Sequence, residues 1–350
     1  MSATALQLIR VDDDRIVVKR GITEVLVEGP RIESTLEKLL ALMDEGQGPE
    51  EILAAFPETD RPRVLRVMRM MVERRLVGAG VVPVESNGRR TEASFYACFG
   101  LSHDAARERL KAASVVVYGV NLVSRALVSH LVHAGVGRVS VAAHPQLTEE
   151  TVGDVWLREL EQGAGDGVTV DVVTEADVRT VEGSTVLCAT SDLGEAECFE
   201  DLNRRALEAG KRFLPAWIKS LVGYVGPLVH PFDTACYRCY RLRADSNDPR
   251  YEVARAIRQH ETLHPGARGP AGLLPPMAGI VGDIAAMEVL KVVTQIAPSD
   301  VAGRLIRINL VSFESVVHRV LKVPRCPDCS DVMKRAAVVT ATGPQIPFRA

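Results

Sequence analysis

Two cysteine pairs of identical spacing stand far apart in the chain, Cys236-Tyr-Arg-Cys239 and Cys326-Pro-Asp-Cys329. A CxxC knuckle aims two sulfurs at one point, and two knuckles complete a tetrahedral thiolate set of the kind that suits zinc. Four sulfur ligands leave no open position, so such a site is structural and contributes folding energy. The competing readings are buried thiols and redox pairs. A redox pair belongs at a helix start after a strand, next to a βαβ pattern. These two follow irregular segments, so structural zinc on Cys236, Cys239, Cys326 and Cys329 is the expectation. The other cysteines, Cys98, Cys188 and Cys198, are expected as small buried apolar residues rather than nucleophiles. Cys198 alone lies on a polar stretch.

A second set of residues carries information by what it lacks. Ser114–Gly119 reads as a buried strand running into a turn, where a doubly wound fold holds its phosphate-binding loop. Such a loop needs glycines, so that backbone and helix N-terminus can approach the phosphates. Only Gly119 is present, followed by Val120, Asn121, Leu122, Val123 and Ser124. The next strand ends in Ala142-Ala143-His144, without the acidic residue that binds ribose hydroxyls. His144 reads as a surface residue.

The elements that must position these residues fall into two blocks. Of 350 residues, 42 are Lys or Arg and 45 are Asp or Glu, giving a formal charge of −3, with 47% hydrophobic residues. That balance excludes a globally basic nucleic-acid coat protein and a disordered chain. No apolar run approaches the roughly 18 residues of a membrane span, and Met1–Arg10, without a long apolar stretch after a basic start, is not expected to be a secretory signal. A cytoplasmic, soluble protein with no membrane partner is expected.

Residues 1–80 form the first block. Leu6–Val11, Arg15–Lys19 and Glu24–Glu28 read as three antiparallel strands. Glu33–Glu45, Pro49–Phe56 and Arg61–Val77 read as three helices. Together they predict a winged-helix-like unit. Residues 81–100 are expected to be linker. Residues 101–335 alternate strands and helices at a spacing that predicts an α/β, doubly wound, parallel sheet. The polar stretch from the first cysteine pair to about Pro270 reads as irregular, Met277–Val293 as a helix, and 336–350 as a tail.

From about Ser102 to Ser330 the chain resembles the ubiquitin-activating-enzyme-like family, which includes the ThiF and MoeB adenylating proteins. The matching features are Val115–Gly119 with the helix after it and Gly223-Tyr-Val-Gly226-Pro before the first cysteine pair. Pro275-Pro276 opening a helix with Glu288 and Lys291, and the closing Cys326 and Cys329, complete the set. The resemblance implies a ThiF-like Rossmann domain. The departures imply that ATP is not activated. The family's GxGGxG is reduced to Gly119, its acidic pair is replaced at Ala142 and His144, and its Asn-xx-Arg-Gln segment is missing from Pro145–Trp156. Its magnesium-binding Asp aligns with Ser191, one residue from Asp192.

Residues 5–80 resemble the PqqD-like peptide-recognition element of ribosomal peptide natural-product biosynthesis. The third strand, with Val25, Leu26 and Val27, would offer an edge to an extended peptide. The third helix would line the groove with Arg66, Val67, Met68, Met71, Arg74 and Arg75, a basic and apolar surface suited to an acidic peptide. Met68 and Met71 also read as ordinary core residues. The combination resembles the leader-peptide-binding protein of azoline-forming clusters, which delivers a precursor to a separate YcaO cyclodehydratase and does no bond chemistry itself. The expected partners are therefore a leader peptide and a YcaO enzyme. The expected cofactor is zinc, without ATP. Family members are often dimers, which adds a homodimer to the expected states. Two alternatives remain. One is an active ThiF/MoeB-like enzyme adenylating a peptide or carrier-protein C-terminus through Asp192. The other is a transcription regulator using the Arg-rich third helix on DNA, against which stands the lack of a base-reading set.

Overall fold

The computed structural model describes residues 6–20, 23–74, 76–77, 90–148, 156, 169–173, 181–231, 233–264 and 272–330. The chain divides into two compact units, Met1–Glu108 and Arg109–Ala350.

In the first unit, β1 (Gln7–Arg10), β2 (Arg15–Arg20) and β3 (Thr23–Glu28) form an antiparallel sheet in that order. β2 is central, and β3 pairs only with it among the described residues. Helices α1 (Ile32–Asp44), α2 (Pro49–Ala54) and α3 (Arg61–Glu73) follow. Pro49 opens α2, where its missing N–H and fixed φ cost nothing. Ile16 and Val18 from β2 and Val27 from β3 pack with Ile32, Leu36, Leu39, Ile52, Val64 and Met71 in one core. Part of the expected linker is helical: α4 spans Arg90–Cys98 and turns Ala93 and Tyr96, three residues apart, inward. Residues 78–89 lie outside the described residues.

The second unit is built on an eight-stranded sheet, ordered β11-β10-β9-β8-β7-β4-β5-β6. β4 (Ser114–Tyr118), β5 (Arg138–Ala142), β6 (Thr169–Val173), β7 (Val186–Ser191) and β8 (Arg212–Lys219) are parallel. β9 (Val222–Val225), β10 (Arg304–Asn309) and β11 (Ser315–Arg319) continue the sheet antiparallel. β4 is buried on both faces, as a run of valines in a parallel sheet should be. Val115 and Val117 join a core with α6 (Leu122–His133) and α10 (Pro275–Thr294). Val116 and Tyr118 join a core on the other face with α7 (Cys198–Glu208) and the paired cysteines. α6 and α10 approach closely at Gly282, where a Cβ would stand 2.6 Å from that of Ala126. α5 (His103–Ala112) precedes β4.

The stretch expected to be irregular holds two helices, α8 (Tyr237–Asn247) and α9 (Tyr251–Leu263). Their sequences hide the helical period for different reasons. α8 buries Tyr237, Cys239 and Arg241 rather than an aliphatic stripe. α9 leaves its own apolar residues, Val253 and Ile257, more than half exposed. No helix among the described residues is long and apolar enough to cross a membrane.

Candidate functional site

The chain leaves β4 for β5 on one side of the sheet and returns to β7 on the other. The carboxyl ends of β4 and β7 therefore form the switch point where doubly wound sheets hold ligands. Gly119 turns there with φ +109, and a Cβ on it would meet the Thr190 carbonyl at 2.6 Å. Asn121 comes next and is completely buried. Its Nδ2 donates to the carbonyls of Leu147 and Thr190, each at 2.9 Å, and its Oδ1 accepts from Ser124 N at 3.0 Å. Ser124 Oγ in turn accepts from Asn121 N at 2.9 Å, so the pair closes a capping box on α6.

Asp192, at the end of β7, is also buried. Its Oδ2 accepts from Leu122 N, the first amide of α6, at 2.9 Å. A helix N-terminus is the natural seat for a phosphate. Here the chain's own carboxylate occupies that seat, and the Asn121 amide fills the space beneath it. Gly119, Asn121 and Asp192 are thus brought together, as a polar plug. His144 lies in the turn after β5, where its N donates to Thr148 Oγ1 at 3.0 Å and its Nδ1 accepts from Gln146 N.

Beside the plug, a cavity of about 330 Å³ opens between the ends of β7 and β8 and helix α9. Glu195, Lys219, Leu221, Ile257 and Arg258 line it with Asp192. Glu195 is fixed from behind. It accepts from Tyr237 Oη at 2.7 Å and pairs with the buried Arg241 at 2.6 Å. Burial pulls the Arg241 guanidinium down, but Glu195, Tyr237 and Asp245 together outweigh it and raise its pKa. Glu200, on α7, is pushed up by burial despite Arg238 and Arg241 beside it.

Arg241 and Tyr237 belong to the helix that starts at the first cysteine knuckle. The four sulfurs of Cys236, Cys239, Cys326 and Cys329 lie within 4.8 Å of one another, all buried. Neighbouring pairs are 3.6 to 3.8 Å apart. A tetrahedral zinc with Zn–S bonds of about 2.3 Å needs sulfurs about 3.8 Å apart. The donor set and its spacing therefore fit zinc, and a disulfide, at about 2.05 Å, is far from this geometry. Val323 N donates to Cys239 Sγ at 3.3 Å. Asp328, inside the second knuckle, accepts from Asn203 Nδ2, while Asn203 Oδ1 accepts from Tyr237 N. Both knuckles are thus latched to α7 through Asn203, a residue that nothing in its local sequence singles out. Cys188 and Cys198 are buried and Cys98 partly so. Glu288 and Lys291 pair at 2.5 Å and bind the 299–300 turn through Ser299 and Asp300.

In the first unit, Arg63 Nη1 on α3 donates to the Pro30 carbonyl just past β3. Arg20 Nη1, at the end of β2, donates to the Leu76 carbonyl just past α3. α3 therefore runs alongside the sheet, antiparallel to β3. Its 13 residues and the 6 of β3 both span about 20 Å. At about 100° per residue, Arg66, Val67, Met70 and Arg74 lie within about 60° of Arg63, on the flank toward β3, and Arg69 lies about 120° round. Val67 is buried on that flank, and Met68 and Met71, about 140° and 80° round from Arg63, are buried in the core. Met70 is partly buried beside that core, and Arg66 and Arg74 are exposed. On β3, Val25 is half-buried, Leu26 exposed and Val27 buried. Arg75 lies outside the described residues. The helical phase that separates Met70 from Met68 and Met71 is set by the Arg63–Pro30 contact, which the sequence does not display.

The ThiF family model matches residues 167–331. No curated protein sequence matches the chain. Among solved structures, E. coli MccB with ATP superposes with a TM-score of 0.69 at 17% identity, covering 94% of this chain and 99% of that one. The microcin C7 biosynthetic enzyme MccB in complex with N-formylated MccA gives the same TM-score of 0.69, at 17% identity, over 94% of this chain and 99% of that one. A heterocyclase in complex with substrate and cofactor gives a TM-score of 0.57 at 17% identity, over 93% of this chain and 38% of that one. These likenesses establish a ThiF/MoeB-like Rossmann fold preceded by a small antiparallel three-stranded unit.

Proposed function

We propose that this chain, built on a ThiF-like fold, binds the leader segment of a ribosomally made precursor peptide. It then presents that precursor to a separate YcaO-type cyclodehydratase. The partner forms thiazoline or oxazoline rings from Cys, Ser or Thr with ATP, and this chain uses none. The observation that carries the reading is the plug: Asp192 caps the phosphate-facing end of α6 while Asn121 fills the crevice. The similarity to an MccB–MccA complex and to a substrate-bound heterocyclase supports a role in peptide modification. The four-thiolate set, which fits a structural zinc ion, would hold α8 and the Arg241–Glu195 pair in place.

The leader adds to the free edge of β3, where backbone hydrogen bonds give affinity. Met70, Arg66 and Arg74 on the adjoining flank of α3 supply apolar contact and charge for an acidic segment. Holding the precursor on the carrier raises its concentration at the partner enzyme. Fluorescence anisotropy of a labelled leader tests this. Val25→Asp and Met70→Glu should each abolish binding. Met71→Glu is a poor probe, because Met71 is fully buried and its loss would unfold the unit. Pyrophosphate exchange by the purified chain, or stoichiometric binding of Mg·ATP, would overturn the ATP-free reading. That outcome would favour an adenylating enzyme acting on a peptide or carrier C-terminus, the reading that similarity to ATP-bound MccB supports.

A further inference from the structure

The far edge of the eight-stranded sheet has the properties of a docking strand. β11 pairs with β10 on one side, and among the described residues no strand covers the other. All five of its residues are exposed. So are Val311, Phe313 and Leu321 around it, with Phe313 at 64% and Val317 at 51%. An apolar edge left bare is an association site unless something covers or blunts it.

The phase of the ladder fixes which groups face outward. Asn309 N donates to the Glu314 carbonyl and Val320 N to the Gly303 carbonyl. Antiparallel alternation then makes Arg307–Val316 and Leu305–His318 the hydrogen-bonded pairs. The backbone N–H and C=O groups of Ser315, Val317 and Arg319 therefore point away from β10, three residues with both groups open to a further strand.

The charge on this edge is one-sided. Arg304 stands directly opposite Arg319. Theirs is a non-hydrogen-bonded pair, the kind that brings side chains closest, and like charges there are destabilising. Arg304 interacts with Asp300 at longer range, but Lys291 already binds that carboxylate at 2.8 Å. Arg307 and Arg319 form no ion pair among the described residues. Against these three arginines the β10–β11 hairpin offers a single acid, Glu314.

We propose that this edge receives an extended, acidic segment of a partner protein, which adds to β11 as a ninth strand. Its backbone pairs with Ser315, Val317 and Arg319, its apolar side chains cover Val317 and Phe313, and a carboxylate lies between Arg304 and Arg319. The surplus of basic charge disfavours a second copy of this chain at the same place. The inference stands apart from the leader-binding reading, which uses the other unit.

The test uses the full chain and two fluorescein-labelled synthetic peptides, one alternating Val with Glu and one alternating Val with Lys. Anisotropy at about 50 mM salt should show binding of the Glu peptide only, weakening as salt screens the arginines. Val317→Pro removes an outward N–H without breaking a bond to β10. It should reduce binding of the Glu peptide by about tenfold or more, with the far-UV circular dichroism unchanged. The double reversal Arg304→Glu with Arg319→Glu should transfer preference to the Lys peptide, which keeps the test decisive if proline disturbs the hairpin. Equal binding of both peptides by the native chain overturns the proposal. So does Glu-peptide binding that survives the double reversal, since it must then occur elsewhere, for example on α3. Concentration-dependent dimerisation that Val317→Pro abolishes would also overturn it, by showing that the edge pairs with its own copy.

Discussion

Replacing Asn121 by Ala is the most direct probe of the plugged crevice. The side chain is fully buried, N-caps α6 through Ser124 N, and donates to two buried carbonyls, of Leu147 and Thr190. Loss of an N-cap costs about 1 kcal/mol. Each buried carbonyl left without its donor costs about 1 kcal/mol at the low end of the range. The sum is about 3 kcal/mol before any void is counted. For a unit of this size each kcal/mol lowers Tm by about 2–4 °C, so the expected drop is roughly 6–12 °C in the transition of the second unit. Differential scanning calorimetry of the full chain reads it directly. Asn121→Ser, which can keep the cap but not the two donated bonds, should fall between native and Ala. A drop below about 2 °C for Asn121→Ala would refute the reasoning, because the amide could not then be the group that satisfies this crevice. Equal losses for Ser and Ala would refute the assignment of the cap.

Three further outcomes follow from the same geometry. Metal analysis of the purified chain should find one zinc, and Cys326→Ser should lose it and lower Tm by more than about 10 °C. Arg241→Met alone should cost about 3–5 kcal/mol in urea unfolding, because it strands the buried Glu195 carboxylate, whereas Arg241→Met with Glu195→Gln should cost clearly less. Cys188 is fully buried, and burial pushes its thiol up to about 12. At pH 8 iodoacetamide should therefore leave Cys188 unmodified in the native protein and alkylate it once the chain is unfolded in denaturant, as peptide mass mapping would show.

Much of the fold is readable from local pattern. The valine run of β4, the turn residues of the first sheet and Pro49 at the start of α2 each act over a few residues, and the elements form where these signals stand. The four-cysteine cluster is equally legible, because each CxxC carries its own geometry and needs only one partner of the same kind. The polar helices α8 and α9 escape this reading. One buries arginine and tyrosine beside a cysteine knuckle, and the other turns its apolar residues outward, so neither shows the expected stripe.

The sequence by itself determined that the turn after β4 holds a single glycine, Gly119, and that four cysteines could share one ion. Only the tertiary structure decided what fills the crevice at the end of β4, because Leu122 and Asp192 are 70 residues apart and meet through the order of strands. It also decided that Met68 and Met71 enter the core while Met70 is only partly buried, and that Arg304 faces Arg319. Helix phase and strand register are set by distant contacts and the burial they achieve, and a change of one residue in either turns a side chain from core to surface.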